Sequence, residues 1–196
     1  MNPGEPLGRT PVGPRSNGLA GHLVLVGLPG TGKSTVAPLL AAALDRGVID
    51  LDSLIEQQAG CSVPQLFASV GEVGFRDHEL AALHLSLAGP PVVLATGGGI
   101  VTTPEARREL RGSSVVWLRA RTDTLVERLS TVGDAGVARP LLDTQGPAAL
   151  KSRIEELSLD RTDLYQAVAD VVVDVDDHTP TEVAQAIIVL LDEERT

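Results

Sequence analysis

A lysine followed by two hydroxyl residues closes the run Gly27-Leu28-Pro29-Gly30-Thr31-Gly32-Lys33-Ser34-Thr35. The run fits the phosphate-binding pattern G-x-x-x-x-G-K-[ST] in full. Its glycines let the backbone turn tightly and aim successive N–H groups into one concavity, where they hydrogen-bond phosphate oxygens. A helix starting at the same point adds its N-terminal amides and dipole. Gly30, Thr31, Gly32, Lys33, Ser34 and Thr35 are therefore expected on the phosphates of a bound nucleotide. Lys33 would meet the β- and γ-phosphates, and the Ser34 hydroxyl would ligate Mg²⁺. Leu23–Val26 before the run reads as a buried parallel strand, and Val36–Leu44 after it as a helix. With strand and helix on the correct sides, the run implies binding of a nucleoside triphosphate.

Further residues able to do chemistry follow at intervals. Asp50 and Asp52 stand two apart at the end of a short apolar stretch, well placed for a metal and a substrate. Arg76 and Glu79 lie three apart on a helical stretch, so Glu79 can hold the guanidinium. Gly97-Gly98-Gly99 closes another apolar stretch, and Arg139 and Arg161 come later. Each has a plainer reading as well: a helix-capping turn, an irregular loop, solvated arginines. Val171-Val172-Val173-Asp174 has the form of a metal-binding strand, but an edge strand ending in a turn acid describes it better. His22, His78, His84 and His178 lack metal-ligand spacing.

The elements that must position these residues alternate between the two periodicities. Gly47–Asp50 is expected as a second strand, followed by a helical start at Ser53. Val63–Val70 reads as a short helix carrying Phe67. A second helix over Glu72–Leu87 is expected to bury Val73, Leu80, Leu83 and Leu87. Pro91–Ala95 is a third strand. Thr103 as N-cap and Pro104 at the first helical position open the next helix. Ser114–Leu118 is a fourth strand, and Thr124–Leu129 a helix. Thr131–Asp143 then loses periodicity and has the length of an active-site lid. A long helix spans Pro147–Val168, and Ala169–Asp174 is a fifth strand. Thr179 and Glu182 form a capping box for the last helix, with Pro180 between them. Alternating strands and helices predict an α/β fold, a parallel sheet covered by helices on both faces. Pro38, inside the first helix, lacks an amide and predicts a kink there.

Composition bounds the function classes. The chain has 196 residues, of which 43% are hydrophobic and only 2% aromatic, so aliphatic side chains must fill an ordinary core. A formal net charge of −10 argues against non-specific binding to nucleic acid or to an anionic membrane. Cys61 is the only cysteine, which excludes an intrachain disulfide and suits a reducing, cytoplasmic compartment. Residues 1–21, rich in Pro and Gly, read as a disordered leader without the apolar core of a signal peptide. Residues 22–196 read as a single domain, with an acceptor-binding region at about 50–88 and the lid at about 131–143.

The ordered set of motifs resembles the shikimate kinase family. Asp50-Leu51-Asp52 with Ile55-Glu56 is similar to its D-x-D-x-x-I-E. Gly71-Glu72 with Phe75-Arg76 and Glu79 is similar to its G-E-x-x-F-R-x-x-E. Gly97-Gly98-Gly99 matches its triple glycine, Arg139-Pro140-Leu141-Leu142 its lid R-P-L-L, and Arg161 with Leu164-Tyr165 its R-x-x-L-Y. The resemblance spans about Leu23 to Leu190. It implies a P-loop kinase fold with five parallel strands in the order 2-3-1-4-5. It also implies ATP-dependent phosphorylation of shikimate with Mg²⁺ as cofactor; a monomer with neither nucleic-acid nor membrane partners is expected beside it.

The resemblance further implies residue roles. Asp52, Lys33 and Arg139 are the catalytic set, Asp52 orienting or deprotonating the acceptor hydroxyl and Arg139 closing over the transferring phosphate. Asp50 holds Mg²⁺ through water. Arg76 and Arg161 grip the substrate carboxylate, with Gly97, Gly98 and Gly99 approaching the ring. Arg128 and Pro180 flank adenine, and Val63, Phe67 and Phe75 line the apolar side of the acceptor pocket. Two other classes remain open on the residues alone: a kinase for another small acceptor such as gluconate, and a nucleotide switch without an acceptor. The lid has few basic residues, and Asp163 replaces the proline common before Leu-Tyr.

Overall fold

The computed structural model describes residues 21–132 and 146–193, in which five strands alternate with seven α-helices. The strands are β1 (Leu23–Val26), β2 (Gly47–Asp50), β3 (Val92–Ala95), β4 (Ser114–Arg119) and β5 (Val171–Asp174). They form one sheet in the order β2-β3-β1-β4-β5, every neighbouring pair parallel. This is the expected order. The helices are α1 (Lys33–Ala43), α2 (Leu51–Ala59), α3 (Val63–Leu87), α4 (Pro104–Leu110), α5 (Thr122–Val132), α6 (Pro147–Val168) and α7 (Pro180–Glu193).

Both faces of the sheet are apolar because crossover helices cover both. Side chains alternate between them with the strand period of two. Val24, Val26, Leu94, Val115, Trp117 and Val172 enter one core with Ile55, Leu83, Leu110 and Leu157. Leu23, Leu25, Val93, Val116, Leu118 and Val173 enter the other, with Val36 and Leu40 of α1 and Ile187 and Leu191 of α7. The chain therefore leaves every strand at the same edge of the sheet, the carboxyl edge, where ligands of open α/β sheets bind. The phosphate loop, Asp50, the glycine triplet and the loop before α7 all lie there.

Several local expectations change. α3 comprises the two helices expected over 63–70 and 72–87, which meet at a kink at Gly71, whose φ of 71° and ψ of −177° are not helical. Val73, expected on the buried stripe, is 79% exposed. It shares a helical row with Leu80 and Leu87, seven apart, but that row only flanks the core. The buried face is Phe75, Glu79, Ala82, Leu83 and Ser86. α2 begins at Leu51 rather than Ser53, because the Asp50 carboxylate caps it by accepting from the Ser53 N–H at 3.2 Å. α5 extends through Thr131 and Val132, which the sequence assigned to the lid. The remainder of the lid, residues 133–143 with Arg139, lies outside the described residues, as do leader residues 1–20. α1 continues through Pro38 as one helix. The missing amide would have met the carbonyl of Ser34, an exposed residue in the first turn that water can reach.

Candidate active site

The phosphate loop has the backbone its glycines allow. Gly27 and Gly32 have φ of 143° and 92°, and a Cβ on Gly27 would lie only 2.3 Å from the Leu118 carbonyl oxygen. A side chain at Gly27 would thus push the loop off β4. Lys33, the first residue of α1, is buried, and its Nζ donates to the carbonyls of Gly27 at 2.7 Å and Leu28 at 3.0 Å. The ammonium therefore spans the mouth of the loop. Beside it, Ser34 Oγ donates to Asp50 Oδ2 at 2.6 Å. Strand β2 ends at Asp50 and α1 begins next to Ser34, so the α/β topology joins residues sixteen apart.

This pair fits Mg²⁺. A hydroxyl and a carboxylate are hard oxygen donors, and Mg²⁺ takes one or two of these while keeping waters and phosphate oxygens. Among the described residues there is no group of three His, Cys, Asp or Glu side chains that would form a protein-only cage. Asp174, the other acid on a strand end, is engaged elsewhere. β5 is an edge strand, and Arg119 donates through Nη2 to Asp174 Oδ2 at 2.7 Å and through Nε to Oδ1 at 2.5 Å.

The glycine triplet after β3 is the seam of the cleft. A Cβ on Gly98 would come within 2.7 Å of Pro29 Cδ, so the triplet packs directly on the phosphate loop. A Cβ on Gly97 would meet Glu79 Oε1 at 2.6 Å and Asp52 Oδ1 at 3.0 Å. On Gly99 it would meet the Arg76 guanidinium, with Nη2 at 2.1 Å and Cζ at 2.4 Å. Gly97 and Gly99 thus let two carboxylates and one guanidinium lie against bare backbone.

Arg76 is held flat at this seam. Its Nη1 donates to Glu79 Oε2 at 2.6 Å and its Nη2 to Glu72 Oε1 at 3.3 Å. Its Cζ lies 5.5 Å from the centroid of the Phe75 ring, which in turn packs on Phe67 at 5.3 Å. Glu79 is 1% exposed. Burial pushes its carboxyl above the ordinary range, against the pull of Arg76 and with a further push from Asp52. Arg76 Nε and Glu79 Oε1 are buried without a hydrogen-bond partner. From the opposite wall, Arg161 Nη1 donates to the Gly98 carbonyl at 3.0 Å. The Tyr165 hydroxyl, one helical turn later on α6, donates to the same oxygen at 2.5 Å.

At the far end, Arg128 of α5 donates to the Val175 carbonyl at 2.9 Å and to Gly30 O at 3.5 Å. It links the loop before α7 to the phosphate loop, with Pro180 alongside. One cleft of roughly 770 Å³ runs between these ends. Every site residue expected from the sequence that falls among the described residues lines it, and so do Val63, Phe67 and Phe75. Other lining residues had no expected site role, Pro29, Thr96 and His178 among them. Pro29 touches the triplet, and Thr96 is buried with its hydroxyl on the Leu25 carbonyl at 2.9 Å. His178, read as incidental, sits next to Pro180. Its place in the capping segment before Pro180 was the one signal available.

Comparison with known proteins gives a consistent outcome. The family model described as "Shikimate kinase" matches residues 29–192. A shikimate kinase from Synechococcus sp. (strain CC9605) is 41% identical over 86% of this chain and 81% of its own length. One from Synechococcus sp. (strain RCC307) is 44% identical over 84% and 80%. Among solved structures, the shikimate kinase of Acinetobacter baumannii in complex with shikimate superposes with a TM-score of 0.82. It is 33% identical and covers 89% of this chain and 94% of its own.

Proposed function

The chain belongs to the shikimate kinase family, and from the geometry of its cleft we propose how each residue serves the family's reaction. That reaction transfers the γ-phosphoryl of ATP to a shikimate hydroxyl, giving shikimate 3-phosphate and ADP. The observation that carries the assignment of roles is the seam. Gly98 lies on the phosphate loop through Pro29, while Asp52, Arg76 and Arg161 converge on the same triplet. A phosphate donor and a carboxylated acceptor held on the two sides of that seam meet in one cleft.

Phosphoryl transfer asks for positioning and charge stabilisation rather than covalent help from the protein. The amides of Gly30–Thr35 and the Lys33 ammonium hold the β- and γ-phosphates, and adenine lies between Arg128 and Pro180. Ser34 directly, and Asp50 through water, would hold Mg²⁺, which supplies charge neutralisation at the phosphate oxygens. Arg76 and Arg161 receive the acceptor carboxylate from opposite walls; forked guanidinium donors suit it. Asp52 aligns the acceptor hydroxyl and takes its proton as the new O–P bond forms and the bond to the ADP oxygen breaks. Arg139 acts on the phosphate in transit, and the lid excludes water that would hydrolyse ATP.

Residues 22–196 are proposed as one kinase domain and residues 1–21 as a leader it does not need. The domain is proposed to act as a monomer, and the single cysteine supports a cytoplasmic location. The acidic charge supports small-molecule partners only. No helix among the described residues is long and apolar enough to cross a membrane.

The test is ADP release with shikimate, gluconate and nucleoside monophosphates as acceptors, for the wild type and Asp52→Asn. Turnover with shikimate alone, lost in the variant while ATP still binds, is expected. Normal turnover by Asp52→Asn would reduce Asp52 to a turn residue.

A further inference from the structure

The first residues of α3 reach the cleft through Val63 and Phe67. The non-helical backbone at Gly71 separates this segment, 63–70, from the rest of the helix. A helical segment this short is marginal alone, so its place depends on bonds from outside it. At its start Ser62 and Gln65 form a capping box, which serves donors within the turn and ties it to no other element. Pro64 carries no amide, and the Leu66 N–H returns to the Ser62 carbonyl at 2.9 Å. That leaves the Val63 N–H, one of the donors that a helix cannot serve itself.

Glu56 takes it. Its Oε1 accepts from the Val63 N–H at 2.8 Å, reaching across the turn at Gly60, whose φ of 68° ends α2. The carboxylate also suits the positive end of the segment. A glutamate serving only as a cap would belong to the helix it caps, as Gln65 does; Glu56 belongs to α2. It stands one helical turn after Asp52, and both side chains line the cleft. One helix thus carries the group assigned to the acceptor hydroxyl and the bond that fixes the apolar wall. From Val63 that wall continues to Phe67, which packs on Phe75, and Phe75 lies under the Arg76 guanidinium.

We propose that Glu56 is a positioning residue of the acceptor site, whose bond to the Val63 N–H holds Val63 and Phe67 at a set distance from Asp52 so that the acceptor ring fits between them. Glu56 acts through these residues. Without the strap, segment 63–70 is free to shift about the break at Gly71 and the pocket loses its fixed width. Asp52 stays where β2 and the Asp50 cap place it, so the loss falls on acceptor binding rather than on the transfer step. The proposal rests on the assignment of this end of the cleft to the acceptor.

Three variants separate reach from charge. Glu56→Ala loses both, Glu56→Asp keeps the charge but is one methylene too short to reach Val63, and Glu56→Gln keeps an oxygen in place without the charge. With the net value of one hydrogen bond, the Ala and Asp variants should raise the shikimate KM about fivefold, with kcat and the ATP KM within about twofold of wild type. The Gln variant should stay within about twofold of wild type in all three. In the wild type, shikimate should slow hydrogen exchange at the Val63 amide and ATP alone should not, a measurement that stands even if a variant folds poorly. An unchanged shikimate KM in Glu56→Ala, equal losses for both substrates, a Gln variant as impaired as Ala, or a Val63 amide indifferent to shikimate would each overturn the proposal. If Arg76→Lys also leaves the shikimate KM unchanged, the acceptor assignment fails instead, so the two failures are distinguishable.

Discussion

Gly99→Ala isolates the fit between the glycine triplet and Arg76. Gly99 has φ of −100° and ψ of −4°, a conformation alanine adopts without strain, so the substitution tests space alone. The new methyl would lie 2.1 Å from Arg76 Nη2 and 2.4 Å from Cζ and Nη1. Ordinary contact begins near 3.4 Å, so the guanidinium must withdraw by about 1.3 Å. It has little slack. The head is clamped by Glu79 at 2.6 Å, rests on Phe75, and is 12% exposed. A withdrawal of that size stretches the Glu79 bond beyond hydrogen-bonding range or carries Arg76 out of reach of the acceptor. Loss of one hydrogen bond to a charged group is worth about 1.5–3 kcal/mol, which raises the shikimate KM by roughly 10- to 150-fold. Initial rates of ADP release, with each substrate varied in turn, measure it. The ATP KM should stay near wild type, because the phosphate loop touches Gly98 and not Gly99. In an Arg76→Ala background the same substitution should do almost nothing, since the group it displaces is gone. A shikimate KM within twofold of wild type, or an equal penalty in both backgrounds, would refute the reasoning.

Two further predictions concern the same cleft. Arg161→Lys keeps the charge but loses the fork that holds the Gly98 carbonyl and, in the proposed role, a carboxylate as well. It should raise the shikimate KM by about tenfold or more and leave ATP affinity unchanged, measured by the same assay; equal KM values would make Arg161 a wall residue only. Glu79 bears on pH. Burial raises its carboxyl, so between the ordinary carboxylate range and the raised native value the native state holds a proton that the unfolded chain has released. Its contribution to stability is therefore present at low pH and is lost as pH rises through the native value. Function runs the other way, because the neutral acid holds Arg76 less firmly, so the shikimate KM should climb on mild acidification. In Glu79→Gln, thermal unfolding should lose that part of its pH slope and the KM should become less pH-sensitive. Parallel profiles for variant and wild type would exclude Glu79 as the source.

Much of this protein is legible in its sequence because the deciding interactions are local or periodic. The run from Gly27 to Thr35 carries its own turn, donors and following helix. The strands show as short apolar runs because helices cover both faces of the sheet. The order of D-x-D, F-R-x-x-E, triple glycine and R-x-x-L-Y identifies the family before any fold is known. Composition and spacing could not say how these meet, since contacts between residues sixteen to sixty-seven apart follow from packing alone. The sheet order set Ser34 against Asp50 and left β5 at the edge, where Asp174 pairs with Arg119. The break at Gly71 set which face of α3 is buried, putting Glu79 inside and Val73 outside. Most of all, the tertiary structure decided what the glycines are for. Absence of a side chain carries no signal of what occupies the space, and only the folded chain shows Asp52, Glu79 and Arg76 lying against that bare backbone.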